Sequence, residues 1–329
     1  MDAVILAGGF GKRILPLTHY TPKPMLPVAN RPVLDHIAAQ TAAAGIDNLI
    51  FTLAYMPDVI KAHVGGYIGI KTRCVVETMP LGTAGGVKNA APRGDFAVLS
   101  GDGISDINLS DMIKQHKEAG ATVTIAVIEV ADLTGYGKII TNGGYVTEIR
   151  EKDRADEGKR GLANTGIYIV SADALDYADG ICDFARDLFP KLLGAGKKIA
   201  AYIHSGYWTD IGNCEAYLRA NADMLGRCFF PAVRHIGEGA GMEIGTNLIG
   251  WDAVVTGRAH SCIIGQNSVV CSGAEIESCV VLPGTIVNGR HSGEIISNNF
   301  CFKASAPDVN LLNISNSTKY YRQNASIRL

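Results

Sequence analysis

Residues 4–27, VILAGGFGKRILPLTHYTPKPMLP, carry the densest set of groups able to do chemistry. Gly8, Gly9 and Gly11 fall within four residues, directly after the apolar run Val4-Ile5-Leu6. That run reads as a buried strand. Glycines at its end let the backbone turn tightly and approach a ligand without a Cβ clash. Their N–H groups can then point at an anion. Lys12, Arg13 and Lys23 put three cations around the turn. A glycine turn with cations after a first strand is a means of holding phosphates.

Two common phosphate motifs do not fit. A dinucleotide fingerprint, G-x-G-x-x-G, needs a third glycine where Ile14 stands. A P-loop needs G-x-x-x-x-G-K-[ST]; here Arg13 follows Lys12, and Leu6 occupies the first glycine position. The stretch instead resembles the signature of the sugar-1-phosphate nucleotidyltransferases, G-G-x-G-[TS]-R-L-x-P-L-T followed by P-K-x-[LM]-[LV]-P. It departs from that pattern at Lys12 and Ile14. The resemblance implies that Leu6, Gly8, Gly9, Gly11 and Lys12 hold the nucleotide, with Arg13 and Lys23 as the catalytic cations.

The resemblance continues along the chain, closely over residues 1–225 and in type over 226–300. Glu77 to Gly86 (ETMPLGTAGG) matches the loop that wraps the base, implicating Glu77, Pro80, Gly82 and Thr83. Thr83 could also cap a helix beginning near Ala84. Glu77 is the informative residue, because a carboxylate only accepts hydrogen bonds. Guanine offers two adjacent donors, whereas uracil and thymine offer one N–H between two carbonyl oxygens. Guanine is therefore the expected base.

Asp95 to Ser100 reads as a strand that ends in Gly101-Asp102. A carboxylate at the carboxyl end of a parallel strand is where an α/β sheet places ligand chemistry. In the family this G-D holds Mg²⁺, and the Asp of [YW]-W-x-D-[IV]-G supplies a second metal carboxylate; here that is Asp210 in Tyr207 to Gly212. Two carboxylates completed by phosphate oxygens and water suit Mg²⁺. Asp106 is read as a cap of the next helix or as a support behind the site. On the sugar side the resemblance implicates Tyr136, Gly137, Glu151, Lys152, Asn164, Thr165 and Trp208. Asp153 replaces the Pro of the family's E-K-P. Asp183 to Pro190 (DFARDLFP) resembles a family segment read mainly as packing, and the charged residues 153–160 read as a mobile connector.

These residues need a scaffold. Helical spacing over Pro32–Ala44, Met56–Val64, Leu109–Ala119 and Asn213–Leu225 alternates with apolar strands at 48–54, 71–77, 95–100 and 121–130. Such alternation predicts an α/β fold, with a Rossmann-like, mixed but mostly parallel sheet and helices on both faces. From about residue 236 helical periodicity stops. Pieces such as Ile264-Gly265-Gln266-Asn267-Ser268-Val269 resemble the hexapeptide repeat of a short left-handed parallel β-helix. The expected division is a nucleotidyltransferase domain at 1–225, the β-helix at 226–302 and a tail at 303–329. A stack this short leaves sheet edges exposed, so a homo-oligomer through the β-helix is expected.

The bulk numbers narrow the partners. Net charge is −2 over 329 residues with no basic tail, which argues against nucleic acid. No apolar run approaches the roughly 18 residues of a membrane span. A strand beginning by residue 4 leaves no room for a signal peptide. Eight scattered cysteines without a C-x-x-C pair read as reduced packing residues of a cytoplasmic protein. The resemblance implies transfer of a nucleotidyl group from a nucleoside triphosphate to a sugar 1-phosphate. The base-loop sequence, Glu77 and the repeats together look most like the guanylyltransferases of mannose 1-phosphate. The alternatives are uridylyl or thymidylyl transfer to glucose 1-phosphate, guanylyl transfer to another manno-configured sugar phosphate, or a non-catalytic regulatory subunit that binds nucleotide-sugar.

Overall fold

A computed structural model describes residues 1–225, 227 and 242–303. Gly226, residues 228–241 and the tail from residue 304 lie outside the described residues. The described chain forms two compact units, divided inside a helix between Ala216 and Tyr217 rather than at 225.

In the first unit the elements run β1 (Asp2–Leu6), α1 (Val33–Ala43), β2 (Asn48–Leu53), α2 (Pro57–Val64), β3 (Lys71–Val76), α3 (Gly82–Ala90) and β4 (Phe96–Ser100). Then come β5 (Gly103–Ser105), α4 (Leu109–Ala119), β6 (Val123–Val130), β7 (Gly137–Asn142), β8 (Tyr145–Glu151) and β9 (Gly161–Val170). The last are α5 (Phe189–Gly194), β10 (Ile199–His204), β11 (Trp208–Asp210) and α6 (Cys214–Met224), the helix in which the units divide. Nine strands make one sheet in the order β3-β2-β1-β4-β9-β6-β10-β8-β7.

Strand β1 is parallel to both neighbours, with Leu6 level with Thr52 and Ser100. Its Ala3, Val4 and Ile5 are fully buried, as a continuous apolar run in a central parallel strand should be. The chain leaves β1 for β2 on one side and later returns to β4 on the other. The carboxyl ends of β1 and β4 therefore form a topological switch point, where α/β sheets bind ligands.

The sheet is mixed, as expected: it is parallel over residues 2–100, and β8 and β9 run against the other seven strands. Strand β9 runs antiparallel to β4, β6 and β7. A parallel return needs a crossover of a dozen or more residues, usually a helix. The connection β7–β8 is a tight hairpin, too short for one, and these two strands pair antiparallel.

Three local expectations change. Asn108, not Asp106, caps α4, accepting from the N–H groups of Ser110 and Asp111. Thr83 does not cap α3, which begins at Gly82 with no side-chain cap; its hydroxyl oxygen instead accepts from the Phe184 N–H at 3.0 Å. The 153–160 segment is anchored rather than merely connecting. Asp153 accepts from the Ala155 N–H at 2.9 Å and so caps the turn Arg154–Asp156. Buried Asp156 accepts from Lys138 Nζ at 2.6 Å.

The second unit is built from short strands in three sheets. Leu248 pairs in parallel with Ile263, Ile263 with Val280, and Val280 with Ile295. Val254, Val269 and Ile286 are linked in the same way in a second sheet, and Arg258, Glu275 and Arg290 in a third. Successive rungs stand 15 or 17 residues apart, whereas three uniform hexapeptides would give 18. Ile264, Val270, Ile276, Cys279, Val281 and Val287 form the core of this unit. Among the described residues all seven cysteines are free thiols, and no helix is long and apolar enough to cross a membrane.

Candidate active site

A cavity of about 720 Å³ opens at the switch point of the first unit, within the size range of small-molecule sites. Leu6, Gly8, Gly9, Lys23, Glu77, Pro80, Gly82, Thr83 and Asp102 all line it, as the sequence led us to expect. Gly11, Lys12 and Arg13 do not. Gly11 has φ +64°, a left-handed conformation that favours glycine. The buried Thr18 hydroxyl donates to its carbonyl at 2.8 Å and pins the turn. Lys12 is exposed, with its ammonium 5.8 Å from the centre of the Phe10 ring. Arg13 is exposed as well.

Gly101 packs against β1, where a Cβ would come 2.6 Å from the Leu6 carbonyl oxygen. Only glycine permits that approach, and it brings Asp102 to the phosphate loop. The Lys23 ammonium, whose side chain is 10% exposed, forms an ion pair with Asp102 Oδ2. The Ser100 hydroxyl donates to Oδ1. Burial pushes the Asp102 carboxyl up, but Lys23 and Ser100 outweigh it and hold the group below its usual range.

Asp210 arrives on β11, which pairs antiparallel with β5 so that Asp210 lies opposite Gly103. The Ile211 N–H donates to the Asp102 carbonyl at 3.0 Å. Burial raises the Asp210 pKa, and the charge of Asp102 raises it further; Lys23 and Arg13 oppose them. Two mutually repelling carboxylates with only oxygen donors fit a hard divalent cation.

Asp106 supports this pair from behind. Its Oδ1 accepts from His204 Nε2 at 2.6 Å and from the Tyr207 N–H at 2.7 Å. It thus ties the segment before β11 to the loop after β5, and of its two readings the supporting one describes the geometry.

The sugar-side residues gather in two groups. Tyr136 and Trp208 meet edge to face at 5.5 Å, and Trp208 Nε1–H donates to the Thr165 carbonyl at 3.1 Å. The Thr165 hydroxyl itself turns into the sheet, donating to the Ala126 carbonyl at 2.7 Å, so only its backbone faces this group. Gly137 lies against both the Glu151 carboxylate and Asn164 Cβ. Asn164 donates to the Tyr168 hydroxyl and accepts from the Gly166 N–H. Lys152 is half-exposed, pairs with Glu151 Oε1 at 3.4 Å, and adopts φ +50°.

The cavity also holds residues that sequence reasoning missed. Asp183, read as packing, lines it; its Oδ2 accepts from the Thr83 hydroxyl at 2.9 Å. Tyr55 lines it too, its ring 4.2 Å from that of Phe10 and its hydroxyl donating to the Thr18 carbonyl. Its position just past the carboxyl end of β2 was the available signal.

A family model described as "Nucleotidyl transferase" matches residues 2–227. A mannose-1-phosphate guanylyltransferase of Mycobacterium tuberculosis is 33% identical, covering 87% of this chain and 81% of that protein. A UTP–glucose-1-phosphate uridylyltransferase of Synechocystis is 27% identical, covering 98% of this chain and 96% of that one. The crystal structure of HddC from Yersinia pseudotuberculosis complexed with GMP-PN is similar at TM-score 0.59 and 30% identity, covering 68% of this chain and 99% of that chain. The family match runs from β1 through the glycine turn and on past β11, the strand that delivers Asp210. The chain therefore belongs to the nucleotidyl transferase family, as an enzyme that moves a nucleotidyl group from a nucleoside triphosphate to a sugar 1-phosphate.

Proposed function

We propose that the nucleotide is GTP and the acceptor mannose 1-phosphate, giving GDP-mannose and pyrophosphate. The observation that carries the base is Glu77, a carboxylate in the cavity wall. Its Oε2 accepts from the Leu81 N–H at 3.3 Å, which holds it in the base loop. An acceptor-only group suits the paired donors of guanine and repels the carbonyls of uracil. The GMP-PN in the HddC structure and the name of the mycobacterial relative support the same reading.

In the reaction an oxygen of the sugar phosphate attacks the α-phosphorus in line. The new P–O bond forms as the bond to the bridging oxygen breaks, and pyrophosphate leaves. Catalysis of this kind is positioning and charge neutralisation. Lys23 steadies the α-phosphate, and Arg13 balances charge on the departing pyrophosphate. Glu151 and Asn164 orient sugar hydroxyls, Lys152 holds the sugar phosphate, and Trp208 with Tyr136 flanks the ring. Asp102 and Asp210 are the residues to hold Mg²⁺, which when bound neutralises charge on the phosphate oxygens.

The test is pyrophosphate release with Mg²⁺, crossing GTP, UTP, dTTP, CTP and ATP against mannose and glucose 1-phosphates. Turnover confined to GTP with mannose 1-phosphate is expected, and preference for UTP or dTTP overturns the base assignment. Glu77→Gln should lower kcat/KM for GTP about 10- to 100-fold, in line with about 1–3 kcal/mol for a bidentate base contact. An unchanged value would remove Glu77 from base recognition.

We also propose that the second unit winds as a short left-handed β-helix through which the chain self-associates. Trp251, Val254 and Ile286 expose apolar surface there, each more than half exposed. Sedimentation should give an oligomer that dissociates in the Val254→Glu, Ile286→Glu double variant. A monomeric wild-type chain would refute the proposal.

A further inference from the structure

Three side chains of metal-ligating type meet in the last coil of the second unit. His291 lies in the strand Arg290–Ser292, Glu294 opens Glu294–Ile296, and Cys301 opens Cys301–Lys303. The last two strands pair antiparallel, Ile296 opposite Cys301 and Glu294 opposite Lys303. Among the described residues, this is the one group of three His, Cys, Asp or Glu whose donor atoms all lie within 4.8 Å of one another.

The distances suit one cation. His291 Nδ1 is 2.7 Å from Glu294 Oε2, Cys301 Sγ is 2.9 Å from the same oxygen, and Sγ is 3.8 Å from Nδ1. A tetrahedral zinc-like ion holds N, O and S donors about 3.4–3.6 Å apart, given its bond lengths. The three atoms straddle that spacing and need to shift by less than about 1 Å.

The imidazole is already oriented. Its Nε2–H donates to the Asn288 carbonyl at 2.9 Å, leaving Nδ1 to face the other two donors. A backbone carbonyl on the far nitrogen is the usual support of a metal-bound histidine. The Lys303 ammonium sits 3.9 Å from the other carboxylate oxygen, Oε1, and leaves Oε2 to the cluster. His291 and Glu294 also line a cleft of about 1060 Å³, so a fourth coordination position has access to solvent.

We propose that His291 Nδ1, Glu294 Oε2 and Cys301 Sγ bind one divalent cation of the zinc class, separate from the carboxylates of the first unit. Mixed thiolate, imidazole and carboxylate donors select zinc-like ions over Mg²⁺. Binding sends the protons of Sγ and Nδ1 to solvent. A free reactive thiol is the weaker reading: burial and the Glu294 charge push the Cys301 thiol up to about 12, which leaves almost no thiolate unless a cation stabilises it. The bound ion would tie three strands of the last coil together, so it should raise Tm.

The experiment takes the full chain, dialysed against a chelator, and titrates it with Co²⁺ as an absorbing probe. One equivalent should produce a near-ultraviolet thiolate-to-cobalt band, which Zn²⁺ then abolishes by competition. Carboxylate sites such as Asp102 and Asp210 give no such band. Cys301→Ala, a change at an exposed position, should lose the band and the Tm rise. Glu294→Gln should bind Zn²⁺ at least about tenfold more weakly. Absence of the band in the wild type, its persistence in Cys301→Ala, or unaltered Zn²⁺ affinity in Glu294→Gln would overturn the proposal.

Discussion

Arg13→Ala is expected to lower kcat about 10²- to 10³-fold, the loss typical of one charge-stabilising donor aimed at a transition state. Arg13 is exposed and has no packing role to lose, so the melting temperature should stay where it is. Its charge nonetheless reaches the crevice, since it is one of the two cations that counter the raised pKa of Asp210. Arg13→Lys should recover part of the rate. Lysine keeps the charge but lacks the planar fork that grips phosphate in a bidentate way. Steady-state pyrophosphate release across the three proteins checks this. Near-full activity in Arg13→Ala would take the residue out of the mechanism.

Asp210→Asn should abolish most activity and, with chelator present, raise thermal stability. The sign follows from the repulsion in the site. Burial and the Asp102 charge lift the folded pKa of Asp210 above its unfolded value near 3.9. The folded state then binds the proton more tightly than the unfolded state. Stability falls as pH rises from the unfolded pKa through the folded one, and the deficit persists at neutral pH. An amide removes it. The variant should therefore melt above the wild type at pH 7, and the two should converge below about pH 3.9, where both side chains are neutral. Adding Mg²⁺ should raise the wild-type Tm more than that of the variant. Equal melting at pH 7 without metal, or an equal Mg²⁺ response, would show that Asp210 neither bears the repulsion nor holds the ion.

Much of the site was legible because its parts are local. A strand, a glycine turn and nearby cations specify a phosphate loop within about twenty residues, and Gly101-Asp102 marks a strand end by the same short-range logic. Chain stiffness makes such segments nearly independent of the rest of the molecule. The capping readings failed where side chains had a choice between near and distant partners. Thr83 was free to cap α3, yet its hydroxyl reaches Asp183, 100 residues away. Asp106 could have capped α4, yet Asn108 does so while Asp106 holds His204.

By itself the sequence determined the family, the alternation of strands and helices up to residue 100, and which residue types stand at each strand end. Only the tertiary structure decided which of them meet. Lys23 finds Asp102 because β4 returns beside β1, an order that depends on the crossover and not on any local propensity. The antiparallel pairing of β9 with β7 sets Asn164 beside Gly137 and Glu151. Lys152 at φ +50° and the buried Asp156 are likewise products of that fold-back, since a strained dihedral or a buried charge persists only where surrounding contacts hold it.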